Sequence, residues 1–159
     1  MEKTDRDYKK EYEIIQKKNG LPEFQRLVED FDVEKFLEKE SAILIRDIRR
    51  AMVEKFVAYS HFFENLINPS SQSMLLFSVI KRLNEKDKEK IKEIFKTLIK
   101  IQIKAMKVDV VYSEKLEVKF IKEAFDEWQV LKVKVKEVVD NFDENQNGVE
   151  GSIDRGYFG

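Results

Sequence analysis

The chain has 159 residues, with 30 basic and 31 acidic side chains, which is the size of one domain. It contains no Cys and one His, which excludes disulfides, Cys-ligated zinc, iron–sulfur clusters, thiol catalysis and sites with two His ligands. Only 5 Gly and 2 Pro are present, which disfavours a turn-rich all-β sandwich. No run of about 18 apolar residues predicts a transmembrane segment, and the charged residues 1–18 lack a signal-peptide core, so we expect a cytoplasmic protein.

Two short helices are predicted at the N-terminal end of the chain. Gly20 suits the end of one helix and Pro22 suits the first turn of the next, because glycine tolerates the left-handed conformation and proline has a helical φ. These signals predict helices over residues 5–18 and 22–30.

The next predicted element is a long helix over residues 32–67, with a bend near Ser41 as the alternative. Its apolar residues recur every three or four positions, which is the helical period. They are Ile45, Ile48, Met52, Phe56, Tyr59, Phe63 and Leu66. Pro69 ends this helix, and an unusually apolar helix is predicted over residues 71–82.

Two later helices each carry an apolar seam with alternating steps of three and four residues, which is typical of helices that pack side by side. Asn84 is the predicted N-cap of the first helix, and Ser113 is that of the second. The seam of the first helix is Ile91, Ile94, Leu98, Ile101, Ala105, Val108 and Tyr112. The seam of the second is Ile121, Ala124, Trp128, Leu131, Val135, Val138 and Phe142. The short turn between them predicts an antiparallel hairpin.

Parts of the same two segments, residues 99–111 and 130–139, also alternate with period two and are rich in β-branched residues, so a strand pair is the structural alternative. The longer seams favour helices.

The prediction is therefore an all-α fold, a four-to-five helix antiparallel bundle with short N-terminal helices. Methionines at helical spacing, including Met74 and Met106, are interpreted as core. Further apolar positions outside the seams, such as Phe95, Ile103, Phe125 and Val139, predict that the helices pack mostly within the chain, and a spare face would suit a homodimer.

The C-terminal segment differs from the bundle and divides the chain into a helical domain, residues 1–142, and a polar tail, residues 143–159. Residues 143–154 place oxygen-bearing side chains at alternate positions with Gly148 at the sixth, and this pattern resembles an EF-hand calcium loop. The resemblance implies that the ion is Ca²⁺ and that its ligands are Asp143, Asn145, Asn147, the Val149 carbonyl and Asp154. The alternative is an Asn/Gly-rich tail without metal, and no other cofactor is predicted.

Charge is distributed unevenly, because residues 71–112 carry 10 basic and 5 acidic side chains. Lysines recur at intervals of about four residues between positions 88 and 107, and we call this set the lysine ridge. Its candidate phosphate-binding members are Lys92, Lys96, Lys100, Lys104 and Lys107. A ridge of this kind indicates nucleic-acid or anionic-surface binding, and the alternative is neutralisation by the acidic helix that follows it.

None of the sequence patterns indicates catalysis, since the five glycines match no phosphate-binding loop and His61 has only Glu64 as a neighbouring ligand type. The sequence therefore favours a non-enzymatic interaction or scaffold protein that binds a protein partner, or a second copy of itself, through helix faces. Weak calcium binding and binding of nucleic acid or an anionic surface are the alternatives.

Overall fold

The computed structural model describes residues 7–37, 43–69 and 74–157, except for the side chains of residues 36, 75 and 144–157. Within these ranges the chain contains helices and no strand, which confirms the all-α class and shows that the strand alternative is wrong. The helices are α1 (Tyr8–Asn19), α2 (Phe24–Phe31), α3 (Glu34–Leu37), α4 (Leu44–Ile67), α5 (Met74–Arg82), α6 (Glu85–Val110) and α7 (Glu114–Tyr157).

Six of these helices have eight or more residues, so the predicted number of four to five is wrong. Between the second and third of these six helices, Asp32 has a left-handed φ of 51° and ends α2. The chain then forms the single turn α3, and α4 begins only at Leu44. The predicted helix over residues 32–67 is thus shorter than expected, and residues 38–42, which include the predicted bend, lie outside the described residues.

Packing divides the chain into two compact units, which we describe separately. Unit 1 contains Met1–Val57 and Ile101–Glu127, and unit 2 contains Ala58–Lys100 and Trp128–Gly159. In the part of the chain that the structure describes, no helix is both long enough and apolar enough to cross a membrane.

The core of unit 1 is built on aromatic side chains. The ring centroid of Phe31 lies 5.4 Å from that of Phe56 and 6.5 Å from that of Phe125, and all three side chains are buried. Tyr12 is also buried, and its hydroxyl donates a hydrogen bond of 2.7 Å to the carbonyl oxygen of Pro22. Burial raises the pKa of this hydroxyl, so Tyr12 is neutral and joins α1 to the start of α2.

The left-handed residue that ends α1 is Gly20, as the sequence predicts. Its φ is 63°, and its N–H donates a hydrogen bond of 2.7 Å to the carbonyl oxygen of Gln16. A Cβ at this position would lie 3.7 Å from Lys122 Nζ, which is ordinary contact, so the space is sufficient and the conformation sets the cost of substitution.

Gly20→Ala should therefore lower the free energy of unfolding by about 1 kcal/mol, because a residue with a Cβ is disfavoured in the left-handed region. Urea denaturation of the purified chain measures this change. Gly20→Asn is the matched control and should cost less than Gly20→Ala, since asparagine tolerates this conformation better. An alanine variant as stable as the wild type would contradict the prediction.

The core of unit 2 forms where α6 lies beside α7. The predicted seam positions of both helices are buried here except Phe142, which is half-buried, and the rings of Tyr59 and Trp128 are 5.3 Å apart. Lys90 Nζ lies 2.7 Å from Glu137 Oε2, and Lys134 Nζ lies 3.3 Å from Glu93 Oε2. Because the earlier residue of α6 contacts the later residue of α7, the two helices run antiparallel within this unit.

The start of α6 follows the predicted capping pattern. The side-chain oxygen of Asn84 accepts a hydrogen bond of 2.8 Å from the backbone N–H of Asp87. Asp87 is itself buried and accepts a hydrogen bond of 3.1 Å from the side-chain amide of Asn141 on α7. The cap is therefore tied to the neighbouring helix as well as to its own first turn.

Candidate interaction surface

The residues predicted to bind calcium lie on α7, whose helical backbone continues to Tyr157 across the predicted boundary at residue 143. In a helix, alternate residues point about 200° apart around the axis, so the loop geometry of an EF-hand is not formed here. Asp143 is exposed, and the side chains from residue 144 onward lie outside the described residues. Calcium binding and the separate domain 143–159 stay predictions, and a calcium site would require this part of α7 to open into a loop.

A metal site elsewhere among the described side chains would need several His, Asp or Glu residues close together. Within those ranges, no group of three or more His, Asp or Glu residues is placed to hold a metal ion. The ring nitrogen Nδ1 of His61 lies 3.8 Å from Glu64 Oε2, and both side chains are exposed. This arrangement is an ordinary pairing between successive turns of a surface helix.

The first half of the lysine ridge belongs to unit 2. Lys88 Nζ lies 2.8 Å from Glu85 Oε1, and Lys92 Nζ lies 2.9 Å from Glu89 Oε1. The hydrogen bond with Glu89 raises the pKa of Lys92. Lys96 and Lys100 are exposed and form no ion pair within the described ranges. The carboxylates of α6 itself thus neutralise part of this half.

The second half of the ridge belongs to unit 1. Lys104 Nζ lies 2.6 Å from Glu127 Oε1 and 3.7 Å from Glu123 Oε2, both on α7. The hydrogen bond with Glu127 raises the pKa of Lys104. Lys107 is exposed and has no ion pair with any described residue. Binding of nucleic acid or an anionic surface stays a prediction, since one lysine of this half is neutralised from α7 and the other is available.

A buried ionic cluster, which the sequence interpretation missed, lies in unit 1 and consists of Arg46, Arg49, Asp109 and Glu117. Arg49 and Glu117 are each only 1% exposed, and Arg49 Nε donates a hydrogen bond of 2.5 Å to Glu117 Oε2. Arg49 also donates to Asp109 through its second terminal nitrogen. The cluster joins α4 to the end of α6 and the start of α7.

The remaining carboxylate oxygen in this cluster, Glu117 Oε1, is buried and accepts no hydrogen bond from the described part of the chain. Arg46 Nε lies 3.8 Å from this oxygen. The guanidinium carbon of Arg46 lies 4.3 Å from the centre of the Tyr112 ring, so a cation–π contact holds this side chain at the surface. The sequence signal for the cluster is the position of Glu117, four residues before the seam residue Ile121 and hence on the buried face of α7.

The last feature of unit 1 is a set of large apolar side chains that remain exposed, and we call it the apolar strip. Its members on α6 are Ile103, Met106 and Val110, which are 49%, 66% and 83% exposed. The strip continues through exposed residues of the turn and the start of α7, namely Val111, Tyr112 and Leu116. The interpretation of Met106 as core is therefore wrong, and Tyr112 at the end of the predicted seam lies at the surface.

The position of the strip on α6 explains its exposure. At about 100° per residue, the three α6 members lie about 140° around the axis from the middle of the buried seam. They face away from the residues that pack against the rest of unit 1, such as Ile101 and Ala105. Met74 on α5, in unit 2, is also 91% exposed rather than part of the core.

Comparisons of the chain with protein-family models, with curated proteins and with solved structures find no significant match.

Proposed function

We propose that the chain is a non-enzymatic interaction protein, built as an antiparallel helical bundle, that binds a protein partner through the apolar strip. The observation that carries this proposal is the exposure of Ile103, Met106 and Val110 on one face of α6. Their spacing of three and four residues forms a line along the helix, whereas isolated surface hydrophobics need no special explanation.

The local framework supports the same function. Within unit 1, the seam residues Ile101, Ala105 and Val108 of α6 are buried, and the ion pairs of Lys104 with Glu123 and Glu127 hold this part of α6 against α7. The strip is therefore presented on a helix whose opposite face is fixed. A rigid helical surface loses less entropy on binding than a flexible segment would, which favours its use for recognition.

Site-specific photo-crosslinking tests the proposal in the organism that makes the protein. A benzophenone amino acid at position 106 should give a defined protein adduct, because Met106 lies in the middle of the strip. The matched control places the same group at Asp126, an exposed polar position of α7 in the same unit, and should give little or no adduct.

A second variant links the adduct to the apolar surface itself. Ile103→Glu places a charge next to position 106 without touching the buried seam, so it should reduce the yield of the position-106 adduct at least about tenfold if the strip is the binding surface. Equal labelling at positions 106 and 126, or no adduct at position 106, would contradict the proposed function.

A further inference from the structure

We infer that the partner of the apolar strip is an acidic amphipathic helix, one that carries carboxylates beside apolar side chains spaced by three or four residues. This inference rests on the proposed function and adds the chemistry of the partner to it.

The shape of the strip suits a helix. From Ile103 to Val110 it spans about 10 Å, which is two helical turns at about 1.5 Å per residue. An amphipathic helix that presents apolar residues at i, i+3 or i+4 and i+7 covers a line of this length with three contacts. The exposed Val111 and Leu116 extend the apolar surface beyond the end of α6.

Most of the acidic groups around the strip are engaged by other parts of unit 1, and the exception is Glu114, which is exposed and forms no ion pair in the described ranges. Asp109 accepts a hydrogen bond from Arg49, and Glu123 and Glu127 pair with Lys104. Glu114 lies in the first turn of α7, where the helix dipole favours a carboxylate. The negative charge next to the strip is therefore largely compensated within the unit.

The basic groups around the strip are not compensated to the same extent. Lys107 is one position from Met106 and three from Val110, so it lies along the edge of the strip, and it is exposed without an ion pair to any described residue. Lys115, in the first turn of α7, is also exposed and forms no ion pair in the described ranges. With Lys107 and Lys115 against Glu114, the net charge left available at the strip is positive, which complements an acidic partner.

The same lysine disfavours a second copy of this chain as the partner. In a two-fold dimer through the strip, the same residues of both copies meet near the axis. Met106 is the middle member of the strip and Lys107 is its neighbour, so an antiparallel pairing of the two strips would bring both Lys107 ammonium groups to the same edge. Like charges placed together at an interface oppose association.

The test of the inference begins with sequencing of the partner peptide that is crosslinked at position 106. A synthetic copy of that peptide then serves as the probe in binding measurements. We expect a net negative peptide with apolar residues at helical spacing. Fluorescence anisotropy should show that Lys107→Glu raises Kd about fivefold and that binding weakens as salt is added. Lys9→Glu is the matched control, because Lys9 is an exposed lysine of unit 1 on α1, and it should leave Kd unchanged.

Several outcomes would overturn the inference while leaving the proposed function in place. They are an adduct with a second copy of the chain, a captured peptide without acidic residues, and a Kd that neither salt nor Lys107→Glu changes. A different result would overturn both the inference and the proposed function. It is the absence of any adduct at position 106 together with co-sedimentation of the chain with vesicles of phosphatidylcholine and phosphatidylserine, which would assign the strip to a lipid surface. Recovery of an acidic amphipathic peptide whose affinity falls in Lys107→Glu supports the inference.

Discussion

Arg49→Ala should lower the free energy of unfolding by about 3–5 kcal/mol, which is a large part of the stability of a domain. The substitution leaves the carboxylate of Glu117, which is 1% exposed, without its hydrogen-bonded counter-charge. Arg46 Nε, at 3.8 Å from the other carboxylate oxygen, is too far away to replace that hydrogen bond. Urea denaturation followed by circular dichroism measures the change.

Two further variants separate the cost of an unpaired charge from the loss of a large side chain. The double substitution Arg49→Met with Glu117→Leu removes both charges and fills most of the volume, so it should recover most of the lost stability. Arg50→Ala is the matched control, because Arg50 is the exposed neighbour of Arg49 on α4, and it should change stability by less than about 0.5 kcal/mol. If Arg49→Ala and Arg50→Ala have the same effect, the buried cluster contributes nothing to stability.

The helical class and the packing seams could be predicted from the sequence, because both depend on short-range periodicity. Ile94, Leu98 and Ile101 recur with the helical period, and the structure buries all three. The same regularity decides against strands, since the period-two pattern extends over only part of α6. Local signals at Asn84 and Gly20 also predict a helix start and a helix end correctly, because a cap depends on neighbours within a few residues.

The buried ionic cluster could not be predicted in the same way, because it depends on residues far apart in the chain. Arg49 and Glu117 are separated by 68 positions, and neither neighbourhood differs from other charged helical segments. Glu117 lies one turn before Ile121 on the buried face of α7. From the sequence alone, a charged residue at this position is equally consistent with a buried ion pair and with a helix end that is exposed to solvent. Only the packing of α4 decides between these alternatives.

The apolar strip shows why apolar content alone is an incomplete guide to burial. Met106 and Val108 are two positions apart on α6, and both are apolar, yet Val108 is buried and Met106 is exposed. Two positions correspond to about 200° around the axis, so a helix covered on one side buries only one of them. Exposed apolar positions outside the seam are therefore the candidates for a binding surface. The sequence offers Ile103 and Phe125 alike as apolar positions outside the seams, yet Ile103 is exposed and Phe125 is buried.

Phe56→Ala should also lower the free energy of unfolding by about 3–5 kcal/mol, because it opens a cavity in the aromatic core of unit 1. Phe56 is fully buried, and its ring lies edge-on to Phe31 with 5.4 Å between the centroids. Phe31 also contacts Phe125, so the cavity removes packing from the centre of a contiguous cluster. Urea denaturation measures the change, and Phe56→Leu should lose less because it fills more of the cavity.

The matched control for this prediction lies on the same helix. Phe62 is 41% exposed, so Phe62→Ala removes a smaller buried area and should cost less than about half as much as Phe56→Ala. The comparison holds the residue type and the helix constant while the degree of burial changes. Equal losses from the two substitutions would show that burial does not set the cost, because helix propensity favours alanine over phenylalanine at both positions and cannot itself cause a loss.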